Sequence, residues 1–220
     1  MIKAVIFDMD GLMFNTEAMF KILFREVLDQ NHIPAPESIV EAMIGCDSRR
    51  VQIFEQEYPG ITETMAYCQK HRMEYFFSMF KEPGSANMPG LQELIAYLDQ
   101  QKIPYAIASS SAPEDIRRMV EHAGFKISYK VLTSSKEGIP SKPAPDIFLE
   151  TAKRLNVDPK NCLVLEDSKN GIIAAAGAHM HSIFVPDQIV PDEEMKPYIQ
   201  TTCQSLKDVI PYLENQPAMV

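Results

Sequence analysis

The sequence predicts an α/β protein, a parallel sheet covered by helices with an all-helical segment inserted after the first strand. Three observations predict it. Short runs that are apolar throughout recur along the chain, as strands buried on both faces require. Helical periodicities alternate with the later runs, the pattern of strand–helix–strand units. The stretch from about residue 15 to 81 contains no convincing strand.

In chain order, the first apolar run covers residues 2–7 and ends on Asp8 and Asp10, with Gly11 behind them. The insert follows. Phe20, Leu23, Phe24 and Val27 form one apolar helix stripe and Met73, Phe76, Phe77 and Phe80 another, which predicts helix–helix packing within it. A loop rich in Pro and Gly, EPGSANMPG at 82–90, brings the chain back to the sheet. Leu91, Leu94, Ile95 and Leu98 keep i, i+3, i+4, i+7 spacing and predict a helix. Further strands are predicted over 105–108, 130–132, 162–165 and 182–185. Between them, Pro113 with Glu114 and Asp115 opens a helix that Gly124 closes. Pro145 and Asp146 open another, and Asn170 and Gly171 precede a helix of small residues through Ala178. The tail 213–220 is expected to fray after its first residues. The domain assignment is an α/β core from 1–14 and 82–220, with a helical domain from 15–81.

Composition narrows the function classes. The chain has 220 residues, 45% hydrophobic and 23% charged, the proportions of an ordinary globule that can bury a sizeable core. A net charge of −9 argues against nucleic acid or an anionic membrane as the main partner, while leaving room for a small anionic substrate at a locally positive site. The start MIKAVIF leads directly into the first strand, so no signal peptide is expected, and no apolar span is long enough to cross a bilayer. Cys46, Cys68, Cys162 and Cys203 show no CxxC spacing and read as reduced thiols of a cytoplasmic protein. A monomer is expected.

Candidate chemistry gathers at strand ends, where ligands bind in parallel α/β sheets. Asp8 and Asp10 have period two, so an extended chain points both carboxylates the same way. Adjacent carboxylates repel unless a cation joins them or one keeps its proton. They read as a metal site, as an ionised and a protonated carboxyl with divided labour, or as caps of a turn. CLVLEDS at 162–168 ends a second run on Glu166 and Asp167. The pair fits an oxygen cage for Mg²⁺ or a solvated turn into a helix. AIASSS at 106–111 places Ser109, Ser110 and Ser111 at a third strand end, as donors to an anion or as a cap before Pro113. SKPAPD at 141–146 keeps Lys142 out of a helix through Pro143 and Pro145; taken alone, such a lysine reads as solvated.

These four pieces, DMDG, ASSS, SKPAPD and LEDS in this order, resemble the haloacid dehalogenase-like superfamily. The longer stretches FDMDGLMFNTE and SKPAPDIFLETAKRLNVDPKNCLVLEDSKNGIIAAAGAH resemble its phosphatase and β-phosphoglucomutase-like branch. The resemblance implies a Rossmann-like parallel sheet core with an inserted all-helical cap domain. It implies Asp8 as the nucleophile that forms an aspartyl-phosphate, and Asp10 as acid to the leaving oxygen and then base for water. Ser109 and Ser110 would bind the phosphoryl group, and Lys142 would balance charge between it and Asp8. Mg²⁺ would be held by Asp8, the Asp10 carbonyl, Glu166 and Asp167. Asp10 also points to phosphate esters, since the dehalogenases and phosphonatases of the superfamily lack it.

The insert should choose the substrate and, joined to the core near residues 15 and 82, act as a lid. GCDSRR at 45–50 falls where the branch has a substrate-facing loop, which makes Arg49 a candidate for a second phosphate or another polar group, or a solvated helix start. Lys70, His71 and Arg72 read as a solvated helix face. Two positions depart from the branch. Asn15 stands where it has Asp, and is expected still to cap the next helix. Phe20 stands where the mutases have His. The implied activity is hydrolysis of a small phosphorylated metabolite, with a sugar phosphate mutase as alternative. A phospho-accepting receiver module is a third reading, against which stand the D-x-D spacing and the helical insert.

Overall fold

The computed structural model describes residues 1–43, 48–188 and 190–215, without the side chains of residues 48 and 49. Cys46 and most of the GCDSRR stretch, with the Arg49 side chain, lie outside the described residues. So does most of the 213–220 tail, whose first residue, Leu213, is buried. The chain divides into two compact units, Met1–Asn15 with Pro83–Val220, and Thr16–Glu82.

The first unit is built on a six-stranded parallel sheet: β1 (Ala4–Phe7), β2 (Tyr105–Ser109), β3 (Val131–Ser134), β4 (Cys162–Glu166), β5 (His181–Phe184) and β6 (Thr201–Thr202). The strand order is β3-β2-β1-β4-β5-β6. The chain builds outward from β1 in one direction, then crosses back and builds in the other, so the order reverses between β1 and β4, a switch point of the kind that forms crevices beyond strand ends. In register, Phe7 pairs with Ile107 and with Leu165.

Period-two alternation sorts the central strands onto two faces. Ala4 and Ile6 of β1, Ala108 of β2, and Cys162 and Val164 of β4 share one buried cluster with Ile147, Phe148, Ala174 and Ala175. Those last four belong to the helices after the Lys142 loop and after β4. Val5 and Phe7 take the other face, where the Phe7 ring meets Tyr105 edge-on at 6.0 Å. Among the described residues the Thr16–Glu82 unit holds helices and no strand: α1 (Thr16–Gln30), α2 (Glu37–Met43), α3 (Ser48–Glu57) and α4 (Ile61–Met79). The core unit adds α5 (Leu91–Gln101), α6 (Pro113–Glu121), α7 (Asp146–Leu155), α8 (Lys169–Gly177) and α9 (Val209–Glu214). Among the described residues no helix is long and apolar enough to cross a membrane.

The helical unit packs as expected on α1, and on α4 the buried residues extend beyond the expected stripe. Leu23, Phe24 and Val27 are buried with Ile61, Met65 and Cys68 from the first half of α4, and Phe76 of its Phe-rich end is buried as well. Ile61, Met65 and Cys68 lie at i, i+4 and i+7 and form an inward stripe that sequence reasoning did not mark. The Glu55 carboxylate accepts from Gly60 N (2.8 Å) and Thr62 N (2.7 Å), satisfying amides at the start of α4 where Gly60 has no side chain to do so. Asn15 is not the cap expected. Its amide donates to Ala86 O (2.9 Å), while its Oδ1 is buried and accepts no hydrogen bond among the described residues. Cys68, Cys162 and Cys203 are buried free thiols.

Candidate active site

Asp8 continues β1 by one residue, and its amide donates to Leu165 O (3.0 Å) on the neighbouring strand. By alternation its side chain follows Ala4 and Ile6 onto the face that α7 and α8 cover. Lys142 precedes α7, and Glu166 ends β4 just before α8, so both arrive on that face. Lys142 Nζ donates to Asp8 Oδ1, to Glu166 Oε1 (2.6 Å) and to Ala108 O (3.3 Å), which uses all three ammonium hydrogens. The ammonium also stands 4.9 Å from the Phe148 ring centre. Its side chain is only 7% exposed, so this loop lysine is not a solvated one.

Glu166 is fully buried. Its Oε2 accepts from Asp167 N (3.0 Å), Ser168 N (2.9 Å) and Ser168 Oγ (2.9 Å). Ser168 Oγ in turn accepts from Gly171 N (3.0 Å) and caps α8. The helix thus begins at Lys169, ahead of the Asn170–Gly171 pair that sequence reasoning placed before it. Gly171 is there for another reason: a Cβ at this position would overlap the Glu166 carboxyl.

Asp10 lies past the strand, where Gly11 turns the chain with φ 78°. It meets a different set of partners from Asp8. Asp10 Oδ2 accepts from Ser111 Oγ (2.6 Å) and Ser109 Oγ (3.2 Å). Ser109 and Ser111 are buried, and Ser110 between them is exposed. Ser109 Oγ also accepts from Ser111 N (3.0 Å). Burial pushes the Asp8 carboxyl up to about 7 against the pull of Lys142, and Glu166 and Asp10 add to the rise. Burial opposes the Lys142 charge, but Asp8 and Glu166 outweigh it and hold the ammonium above the ordinary lysine range.

Asp8, Glu166 and Asp167 each bring a carboxylate oxygen within 4.8 Å of the others. A donor set of carboxylate oxygens at this spacing fits a small hard cation. Sequence reasoning missed Asp187. It follows β5 much as Asp8 follows β1, and one of its carboxylate oxygens lies within 4.8 Å of one from Asp167. Burial raises its carboxyl above the ordinary value. The available signal was an apolar run, 182–185, ending in Pro186 and Asp187. In the helical unit Lys70 is exposed and His71 Nδ1 lies 3.1 Å from Glu74 Oε2, as on a solvated helix face.

Residues 5–185 match the haloacid dehalogenase-like hydrolase family. The chain is 33% identical to a probable pseudouridine-5'-phosphatase of Drosophila melanogaster over 97% of its own length and 94% of the relative's. It is 30% identical to a β-phosphoglucomutase of Bacillus subtilis, covering 83% of each chain. Its fold is that of the β-phosphoglucomutase from Clostridium difficile, with a TM-score of 0.75 at 24% identity, covering 97% of this chain and 96% of that one. With a parallel sheet whose strand ends carry Asp8, Asp10, Lys142 and the Glu166–Asp167 pair, the chain belongs to the haloacid dehalogenase-like hydrolase family, in its phosphatase and β-phosphoglucomutase-like branch.

Proposed function

We propose that this phosphatase hydrolyses a small phosphorylated metabolite, such as a sugar phosphate, through an aspartyl-phosphate on Asp8. The observation that carries the reading is the division between the two aspartates. Asp8 is ion-paired to a buried lysine, whereas Asp10 is held by hydroxyls. A carboxylate beside a fixed cation suits attack on an anionic phosphorus. A carboxyl among neutral donors suits proton transfer.

In this reading Lys142 offsets charge as the phosphoryl group reaches Asp8, and Ser109 and Ser110 donate to its oxygens. Asp10 gives its proton to the leaving oxygen, then takes one from the water that attacks the aspartyl-phosphate. Mg²⁺ would be held by Asp8, Asp167 and the Asp10 carbonyl, with Glu166 completing the set. Glu166 already accepts four hydrogen bonds, so its larger part is to orient Lys142 and Ser168. When bound, the cation would supply Lewis acidity at the phosphoryl oxygens. The helical unit Thr16–Glu82 would serve as the cap that selects the substrate, with Arg49 a candidate for its distal group.

The mutase reading draws support from the Bacillus subtilis relative. Phe20 argues against it. It stacks on Phe24, ring centres 6.2 Å apart and planes at 15°, and carries no proton to transfer. The test is phosphate release from a panel of sugar, polyol and nucleotide monophosphates with Mg²⁺. Asp8→Asn should abolish release and keep the folded circular dichroism spectrum. A second arm gives β-glucose 1-phosphate with a trace of its 1,6-bisphosphate. Free phosphate supports the hydrolase, and rapid glucose 6-phosphate with little free phosphate would overturn it.

A further inference from the structure

The hydroxyls around Asp10 are not equivalent. Ser111 Oγ sits 2.6 Å from Asp10 Oδ2, and Ser109 Oγ sits 3.2 Å from the same oxygen. Ser109 is the weaker donor to Asp10 and the one that can turn toward a phosphoryl oxygen. Ser111 is held in place from behind. Its carbonyl accepts from Ser134 Oγ (2.6 Å), and its amide donates to Ser109 Oγ (3.0 Å). Ser134 is itself fixed: it ends β3 opposite Ser109, its Oγ accepts from Lys136 N (3.1 Å), and its amide donates to Glu137 Oε1 (3.2 Å). A line of hydrogen bonds therefore runs from the end of β3 through Ser134 and Ser111 to Asp10.

That line has a chemical consequence. A carboxyl oxygen has two lone pairs. Ser111 Oγ keeps its short bond to Oδ2 when Ser109 turns to the phosphoryl group, and Oδ1, which accepts from neither serine, is the place for a transferable proton on Asp10. Resting on the hydrolase reading above, we infer that Ser111 is the positioning residue for the Asp10 carboxyl, holding Oδ2 so that Oδ1 carries the proton given to the leaving group. The step balances. The Asp8 oxygen–phosphorus bond forms, the bond from phosphorus to the leaving oxygen breaks, and the Oδ1 proton passes to that oxygen. Asp10 is left as a carboxylate whose charge Ser111 stabilises. Water then attacks phosphorus, its proton returns to Oδ1, and the Asp8–phosphorus bond breaks.

A proton donor matters in proportion to how poor the leaving group is. An alkoxide needs the proton, and p-nitrophenolate leaves without it. The experiment measures kcat/KM, which reports the steps through phosphorylation of Asp8, on p-nitrophenyl phosphate and on the alkyl monoester that the wild type turns over fastest in the metabolite panel. Ser111→Ala should lower kcat/KM on the alkyl ester by about 10- to 100-fold, within the range of general acid catalysis, and on the aryl ester by no more than about threefold. Ser111→Thr, which keeps a hydroxyl, should recover most of the loss. Ser111→Cys, of similar size but a weak donor, should repeat the selective loss if the alanine variant does not fold. Equal losses on both esters would overturn the inference, since they mean that Ser111 holds the phosphoryl group or the fold. No loss on either would overturn it too. If the wild type cleaves neither ester, the hydrolase reading itself fails, an outcome distinct from both.

Discussion

The Glu166 carboxyl occupies the space that a side chain at Gly171 would need. Glu166 is fully buried and receives Lys142 on one oxygen and the start of α8 on the other. Gly171→Ala gains helix propensity worth ~1 kcal/mol. It also expels Glu166 from its hydrogen bonds, and loss of such a buried network outweighs that gain. A net destabilisation of about 2 kcal/mol is expected in urea unfolding, with a large loss of turnover. Unchanged stability would mean that Glu166 has another seat.

Lys142→Met keeps the length and apolar stem of the side chain and removes the charge between Asp8 and Glu166. Two buried carboxylates then face each other without their shared partner. A loss of about 3–5 kcal/mol is expected, the cost of breaking a buried ion pair from one side. Lys142→Arg should restore little activity, because a planar fork cannot repeat three donations from one nitrogen. Thermal melts and phosphate release read both effects.

Chelation should stop turnover, and Mg²⁺ should raise the melting temperature of the resting protein, since a ligand of the folded state alone stabilises it. Asp167→Asn should weaken this thermal response, moving its midpoint by ~10-fold or more in Mg²⁺ concentration. The melt requires no substrate, so it checks the cation site apart from catalysis. An identical Mg²⁺ response in the variant would remove Asp167 from the site.

Much of this is legible in the sequence, for a local reason. Strands buried on both faces must be apolar throughout, so a run that stops on Asp8, Ser109 or Glu166 announces both a strand and its working end. What was hidden depends on partners far along the chain. Ser111 looked like one serine of three, and its bond to Asp10 exists only because β1 and β2 lie side by side. Gly171 looked like a helix boundary because the volume it leaves is filled from β4. Thr201 and Thr202 form β6 without an apolar run to mark it, and at two residues such a strand leaves no periodicity to read. On α4 Phe76 is buried as its stripe predicts, while Ile61, Met65 and Cys68 pack inward without standing out among their neighbours in the sequence.

The central place of β1 has a consequence for how the chain is made. The ribosome releases Ala4–Phe7 well before Ile107 and Leu165, with which Phe7 pairs. Until β4 exists, β1 has an open edge and an apolar surface that can pair with other chains. The helices of Thr16–Glu82 are contiguous in sequence and make a compact unit of local contacts, so they can form while the sheet waits. Nascent chains stalled with about 130 residues exposed should therefore resist protease across the helical unit and be cut near β1. Stalled after β5 has emerged, they should be protected at both. Equal protection of β1 at both lengths would contradict this order of assembly. A cell making this protein must shelter β1 until β4 has emerged.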